Sequence, residues 1–110
     1  ALVKLVRNAG ADEVHLVLTA DKLMSICPLG VDMYTYRELI AARHNGDIEG
    51  IRAEIGANSV IYNTLERQIA STGRPANEFC TGCWTGKYPI SAAQKLADEK
   101  RKEFELEILR

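Results

Sequence analysis

One run of seven residues, EVHLVLT from Glu13 to Thr19, limits the possible folds of this chain more than any other stretch. Its β-branched and apolar side chains are typical of a strand buried on both faces, as strands of parallel sheets are. The segment before it predicts a helix, with Leu2, Leu5 and Val6 on one face and Gly10 at its end. A helix followed by a buried strand is the second half of a β-α-β unit, and such a strand needs neighbouring strands.

The rest of the chain offers few such neighbours. SVIY, at residues 59–62, is one possible short strand. The other segments predict helices, over residues 36–44, 47–56 (capped by Asp47), 63–71 and a terminal helix at 91–110. We therefore predict an α/β fold that is helix-rich with one or two short strands. Residues 1–110 would form a single partial domain, the carboxy-terminal part of a larger protein.

The charge balance and hydropathy exclude several classes of partner. Fourteen basic residues oppose fifteen acidic ones, which leaves a formal net charge of -1. This balance gives no electrostatic reason to expect a nucleic acid or an anionic membrane surface. No apolar run approaches the roughly 20 residues of a membrane-spanning helix, and the start shows no secretory signal pattern. We expect a cytoplasmic protein with no nucleic-acid partner and no membrane partner.

Three cysteines carry the strongest chemical signal. Cys80 and Cys83 form a C-x-x-C pair within FCTGCWTGKYP, and Cys27 lies in another irregular segment. The pair could bind a metal or an iron–sulfur cluster with Cys27 as third ligand, or pack as small buried side chains. A thioredoxin-like redox pair is less favoured, because that chemistry places the first cysteine at a helix amino terminus. His15 or His44 could complete a Cys₃His zinc site, although a strand position and a helix end explain them more simply.

Three segments resemble a known family: CPLGVDMYTYRELIAA at 27–42, EIGANSVIYNTLE at 54–66 and FCTGCWTGKYP at 79–89. Together they are similar to the carboxy-terminal portion of amidophosphoribosyltransferases of the iron–sulfur type, the glutamine-dependent enzymes that open purine biosynthesis. VKLVRNAGADEVHLVLTA, at residues 3–20, resembles the helix–strand unit that follows the family's phosphoribosyl pyrophosphate loop. The likeness covers about residues 1 to 90. It implies part of a type I phosphoribosyltransferase-like fold and a parent glycosyltransferase that makes phosphoribosylamine.

The resemblance also implies a cofactor and its ligands. Iron–sulfur members hold a 4Fe-4S cluster through one cysteine before a G-[IV]-D segment, two in an F-C-T-x-C loop and one from the amino-terminal region. The matching residues here are Cys27, Cys80 and Cys83, so the fourth ligand of this structural cluster would lie outside the chain. The implied partners are the amino-terminal remainder of the parent enzyme and further copies in a homo-oligomer. No catalytic residue of the family is matched, and the chain alone is expected to be inactive.

Two stretches depart from the family pattern. Residues 19–23 read Thr-Ala-Asp-Lys-Leu where members commonly show S-P-P-I, and Tyr34 and Tyr36 replace a proline and an arginine. These changes affect the expectation for substrate handling and are compatible with a divergent paralogue. We interpret both tyrosines as packing residues. Two alternatives remain open from the residues: a free-standing zinc or iron–sulfur binding interaction module without catalysis, and a fragment whose three thiols are only structural.

Overall fold

The two predicted strands pair with each other in parallel. A computed structural model describes residues 1–110 and shows a helix-rich α/β chain with one two-stranded sheet. The pairing runs in register from His15 with Ser59 to Leu18 with Tyr62. In chain order the elements are α1 (Leu2–Asn8), β1 (His15–Leu18), α2 (Ile40–Arg43), α3 (Ile48–Ile55), β2 (Ser59–Tyr62), α4 (Leu65–Ser71), α5 (Gly82–Thr85) and α6 (Ser91–Ile108). The predicted fold class is confirmed.

Only one face of this sheet is covered. Val60 of β2 is buried and packs with Val3 of α1 and with Ala57 in the first apolar cluster. On the opposite face the register partners Val17 and Ile61 are 67% and 55% exposed. The expectation of a strand buried on both faces is therefore wrong within this chain, because no element packs on the Val17 side.

A second apolar cluster lies apart from the sheet and joins α6 to the loops that carry the cysteines. Its buried members are Ile26, Tyr36 and Ala97, and Tyr88 and Phe104 pack against it. The core is small, since 12 of 110 residues are buried and the two clusters contain six of them. The chain is a slab of 49 × 44 × 21 Å with a radius of gyration of 15.9 Å. A compact domain of this length would have a radius of about 13 Å.

Local signals position the helices that frame the site. The Asp47 side chain accepts a hydrogen bond from the backbone N–H of Gly50 at 3.1 Å, so the predicted cap of α3 is confirmed. The predicted helix over residues 36–44 is interrupted at Leu39, whose backbone is extended (φ −88°, ψ 106°). Residues Tyr36–Glu38 form a separate 3₁₀ turn before α2. The break turns Tyr36 and Leu39 into the interior, where both are buried.

Candidate metal centre

The first cysteine loop is closed by a short antiparallel bridge. Cys27 pairs with Met33, and its backbone N–H donates to the Met33 carbonyl at 2.9 Å. The intervening turn needs Gly30, whose φ of 123° is rarely adopted by other residues. Because Ile26 is buried next to it, the backbone at Cys27 is held between a packed residue and a closed turn. The Cys27 side chain itself is half-buried.

The second cysteine loop contains a single helical turn that sequence reasoning missed. The Thr81 carbonyl accepts hydrogen bonds from the N–H groups of Trp84 at 3.0 Å and Thr85 at 2.9 Å. This turn is α5, and it carries the half-buried Cys83, whereas Cys80 precedes it and is exposed. Gly82 and the glycine after Thr85 weakened the helical signal in the sequence, since glycine is a poor helix former.

The fold brings the two cysteine loops together. The N–H groups of Met24 and Ser25 both donate to the Cys83 carbonyl, each at 3.0 Å. The Trp84 indole N–H donates to the Asp21 carbonyl at 3.2 Å. These three hydrogen bonds join residues far apart in the sequence, so the convergence of Cys83 with the Cys27 loop comes from tertiary contacts.

Both of the other cysteines affect the pKa of the Cys83 thiol. Burial raises the pKa of the Cys83 thiol, and negative charge on Cys27 and on Cys80 raises it further, while nearby backbone N–H groups oppose the rise. Cys27 and Cys80 therefore both lie within electrostatic range of the Cys83 thiol. A cationic centre placed among them would reverse the effect, because it favours the thiolate form.

The spacing of these groups does not match a single bound ion. No three His, Cys, Asp or Glu side chains lie close enough together to hold one metal ion. Zinc sites place four ligands at about 2.0 to 2.3 Å from one atom. The side chains therefore form no ready-made site for a single metal ion.

Neither histidine lies with the cysteines. His15 on β1 hydrogen-bonds Ser59 at 2.7 Å and Glu13 at 3.0 Å. His44 is the carboxy-terminal cap of α2 and pairs with Glu54. Both side chains are engaged elsewhere, in agreement with the simpler interpretations that the sequence favoured.

The sequence did not predict a row of three hydroxyl groups that lies beneath the cysteine loops. Ser25 is fully buried, and its Oγ lies 2.7 Å from the hydroxyls of both Tyr36 and Tyr88. Tyr88 also donates to the carbonyl of Ile26. Burial raises the pKa of the Tyr88 phenol; the hydrogen bond with Ser25 opposes that rise, and Tyr36, Cys83 and Cys27 add to it. Of these three residues, the sequence analysis identifies only Tyr36, as a packing residue. Tyr36 is buried, as that interpretation expects.

The residues that depart from the family pattern occupy two different environments. Residues 19–21 and Leu23 line an apolar cavity of about 350 Å³ at the carboxy ends of β1 and β2. Tyr34 is 53% exposed, so its interpretation as a packing residue is wrong in this chain. The cavity lies where ligands bind in parallel sheets, at the carboxyl ends of the strands.

Comparisons with known proteins agree on one family name. The chain is 44% identical over 88 residues to the amidophosphoribosyltransferase of Methanocaldococcus jannaschii, a match that covers 80% of this chain and 18% of the relative. It is 39% identical over 98 residues to that of Methanothermobacter thermautotrophicus, covering 89% of the chain and 20% of the relative. It is 36% identical over 97 residues to the amidophosphoribosyltransferase of Bacillus subtilis, a match that covers 84% of the chain and 20% of the relative. No protein-family model matches the chain. The chain spans about a fifth of the length of the curated relatives it matches.

None of its helices is both long enough and apolar enough to cross a membrane.

Proposed function

The chain is related to amidophosphoribosyltransferases over most of its length, and on that premise we propose that it is the carboxy-terminal part of an enzyme of this family. The parent would transfer ammonia from glutamine to the anomeric carbon of phosphoribosyl pyrophosphate, forming phosphoribosylamine at the start of purine biosynthesis. The observation that carries the proposal is the identity of 35–44% over about 80–90% of the chain.

The shape of the chain supports a role as part of a larger body. A two-stranded sheet is at best marginally stable by itself, and Val17 and Ile61 leave one of its faces apolar and open. The radius of gyration exceeds the expectation for a compact domain of this length. The remainder of the parent would supply further strands and the catalytic groups. The chain alone is predicted to be inactive, and assembly into a homo-oligomer and a cytoplasmic location also stay predictions.

Within this role, Cys27, Cys80 and Cys83 would hold a 4Fe-4S cluster, with the fourth ligand supplied from outside the chain. The hydrogen bonds that join the two cysteine loops support this assignment, and a cationic cluster core would offset the repulsion that a Cys83 thiolate meets from charge on Cys27 and Cys80. When bound, the cluster would cross-link the two cysteine loops and so stabilise the fold. The chain's own contribution is to present Cys27 at the base of a closed turn and Cys83 on α5.

Anaerobic reconstitution of the chain with ferrous iron and sulfide tests the cofactor. We expect a brown protein with about four irons and four sulfides per chain, the fourth iron being ligated by added thiol. Cys27→Ala, Cys80→Ala and Cys83→Ala should each reduce iron retention. A colourless protein with one zinc would favour the interaction-module alternative, and three titratable thiols with no metal would favour a purely structural role.

The catalytic assignment needs a separate test. The coding sequence upstream of Ala1 should carry a phosphoribosyl loop and one further cysteine. The whole protein should form phosphoribosylamine from phosphoribosyl pyrophosphate and glutamine, whereas residues 1–110 alone should not. Product formation by the isolated chain, or an upstream sequence without that loop, would contradict the proposal.

A further inference from the structure

Three hydroxyl groups form a continuous chain between α6 and the cysteine loops; Ser25 and Tyr36 are buried, and Tyr88 is half-buried. Ser25 Oγ lies 2.7 Å from Tyr36 OH and 2.7 Å from Tyr88 OH. Tyr88 OH donates to the carbonyl of Ile26. Tyr36 OH also lies 3.3 Å from the carbonyl of Ala97 on α6. Since Ser25 is 0% exposed, no solvent competes for its hydrogen bonds.

The two ends of this chain are carbonyl groups, which can only accept hydrogen bonds. Tyr88 donates its proton to the carbonyl of Ile26, and Tyr36 donates its proton to the carbonyl of Ala97. Ser25 has one proton for its contacts with the two tyrosines and can donate it to either of them. The three hydroxyl groups therefore link Ala97 on α6 to Ile26. Chains of this kind polarise one another and are strengthened in a buried site.

The end of this chain adjoins both candidate thiol loops. Ile26 is the residue before Cys27, and the N–H of Ser25 donates to the Cys83 carbonyl. The ring of Tyr88 lies directly against Gly82, because a Cβ at that glycine would come within 2.3 Å of a ring carbon. Tyr88 thus contacts the backbone immediately before each of the two cysteines.

We propose that Ser25 and Tyr88 are positioning residues that set the spacing of Cys27 and Cys83 before a metal centre forms. Their hydrogen bonds fasten residues 25–26 to the segment 82–88, and so hold the backbone at Cys27 close to the backbone at Cys83 in the metal-free protein. The metal-related part of this inference rests on the proposed function. The positioning itself is a property of the metal-free chain and is measured without the cofactor.

Thiol alkylation in the metal-free chain tests the positioning. Tyr88→Phe keeps the ring against Gly82 and removes the hydroxyl, and Ser25→Ala breaks the chain at its centre. Under native conditions we expect each variant to raise the alkylation rates of Cys27 and Cys83 about fivefold, the change in open population that the loss of one buried hydrogen bond produces. Cys80 is already exposed and should change less than about twofold. Peptide mapping by mass spectrometry resolves the three sites.

Two control variants separate positioning from general destabilisation. Tyr62→Phe makes the same chemical change at a phenol in the sheet cluster, and Val60→Ala weakens that cluster directly. Neither should raise alkylation selectively at Cys27 and Cys83. Equal acceleration of all three thiols in Tyr88→Phe and Ser25→Ala, or rates within about twofold of the wild type, would overturn the proposal.

A second readout concerns the loaded protein. After reconstitution with iron and sulfide, Tyr88→Phe should bleach faster under a chelator and shift the electron paramagnetic resonance spectrum of the reduced cluster, whereas Tyr62→Phe should do neither. Unchanged bleaching and an unchanged spectrum would overturn the proposal. If the wild-type chain binds no iron, the proposed cofactor fails, while the alkylation rates still decide the positioning.

Discussion

Replacing Tyr36 by alanine removes the side chain that fastens α6 to the rest of the molecule. Tyr36 is 3% exposed, and its ring stacks on Phe104 with centroids 5.8 Å apart and planes inclined by 20°. The Arg101 guanidinium lies 5.3 Å from the same ring centroid, and the Tyr36 hydroxyl contacts Ser25. Three kinds of interaction are therefore lost in one substitution.

The expected cost follows from adding these interactions. Truncation of a buried aromatic ring to alanine costs about 3–5 kcal/mol, because a cavity remains. The buried hydrogen bond adds about 1 kcal/mol, and the cation–π contact adds about 0.5 kcal/mol. The sum, about 5 kcal/mol, equals the lower end of the usual stability range of about 5–15 kcal/mol. With only 12 buried residues, this chain should lie near that end, so Tyr36→Ala should lose most of its folded population.

Urea unfolding followed by circular dichroism and by Trp84 fluorescence measures the effect. Tyr36→Phe keeps the ring and should lose only about 1 kcal/mol. Tyr34→Ala is the matched control, since that ring is 53% exposed and its loss should change stability by about 0.5 kcal/mol or less. A loss below about 2 kcal/mol for Tyr36→Ala, or equal losses at both tyrosines, would refute the assignment of Tyr36 as the anchor of α6.

Three further predictions follow from single contacts. Asp47→Ala removes the cap of α3 and should lower the free energy of unfolding by about 1 kcal/mol in urea titration, with a loss below about 0.3 kcal/mol contradicting the cap. Burial raises the pKa of Tyr62 and Tyr88, so the folded state holds both phenol protons more tightly; the stability they contribute is full below about pH 10 and is lost as pH rises through the raised values. The melting temperature should therefore fall above pH 10, and less steeply in Tyr62→Phe; identical slopes would count against this. Iron-loaded protein should melt higher than metal-free protein in anaerobic calorimetry, and Cys83→Ala should abolish the difference.

The strands were predictable because their signal is local. EVHLVLT and SVIY are apolar and β-branched, and both form strands. The helix predicted over residues 36–44 failed at Leu39, where periodicity gave no warning. The break is caused by tertiary contacts, since the Tyr36 side chain points inward to Ser25 and α6, and the Leu39 side chain is also buried. Local propensity is a weak prior where such contacts compete with it.

The candidate site was predictable as a set of residues and not as a geometry. Sequence spacing places Cys80 and Cys83 on one loop, but no periodicity relates them to Cys27. The convergence depends on two backbone N–H groups that meet the Cys83 carbonyl and on the hydroxyl of Tyr88. Backbone donors are the same in every sequence, so these contacts leave no trace in residue type. Ser25 carried no distinguishing signal either, because a serine in an irregular segment is usually exposed.

The terminal helix is part of the same unit as the cysteine loops, although the family resemblance ends near residue 90. Ala97 packs in the second cluster, and its carbonyl lies at one end of the hydroxyl chain whose other end adjoins Cys27. Phe104, which lies on the same helix as Ala97, stacks on the ring of Tyr36. Helix α6 therefore contacts Tyr36 through both Ala97 and Phe104. Changes along the inner face of α6 should therefore alter the alkylation rates of Cys27 and Cys83 through Tyr36 and Ser25.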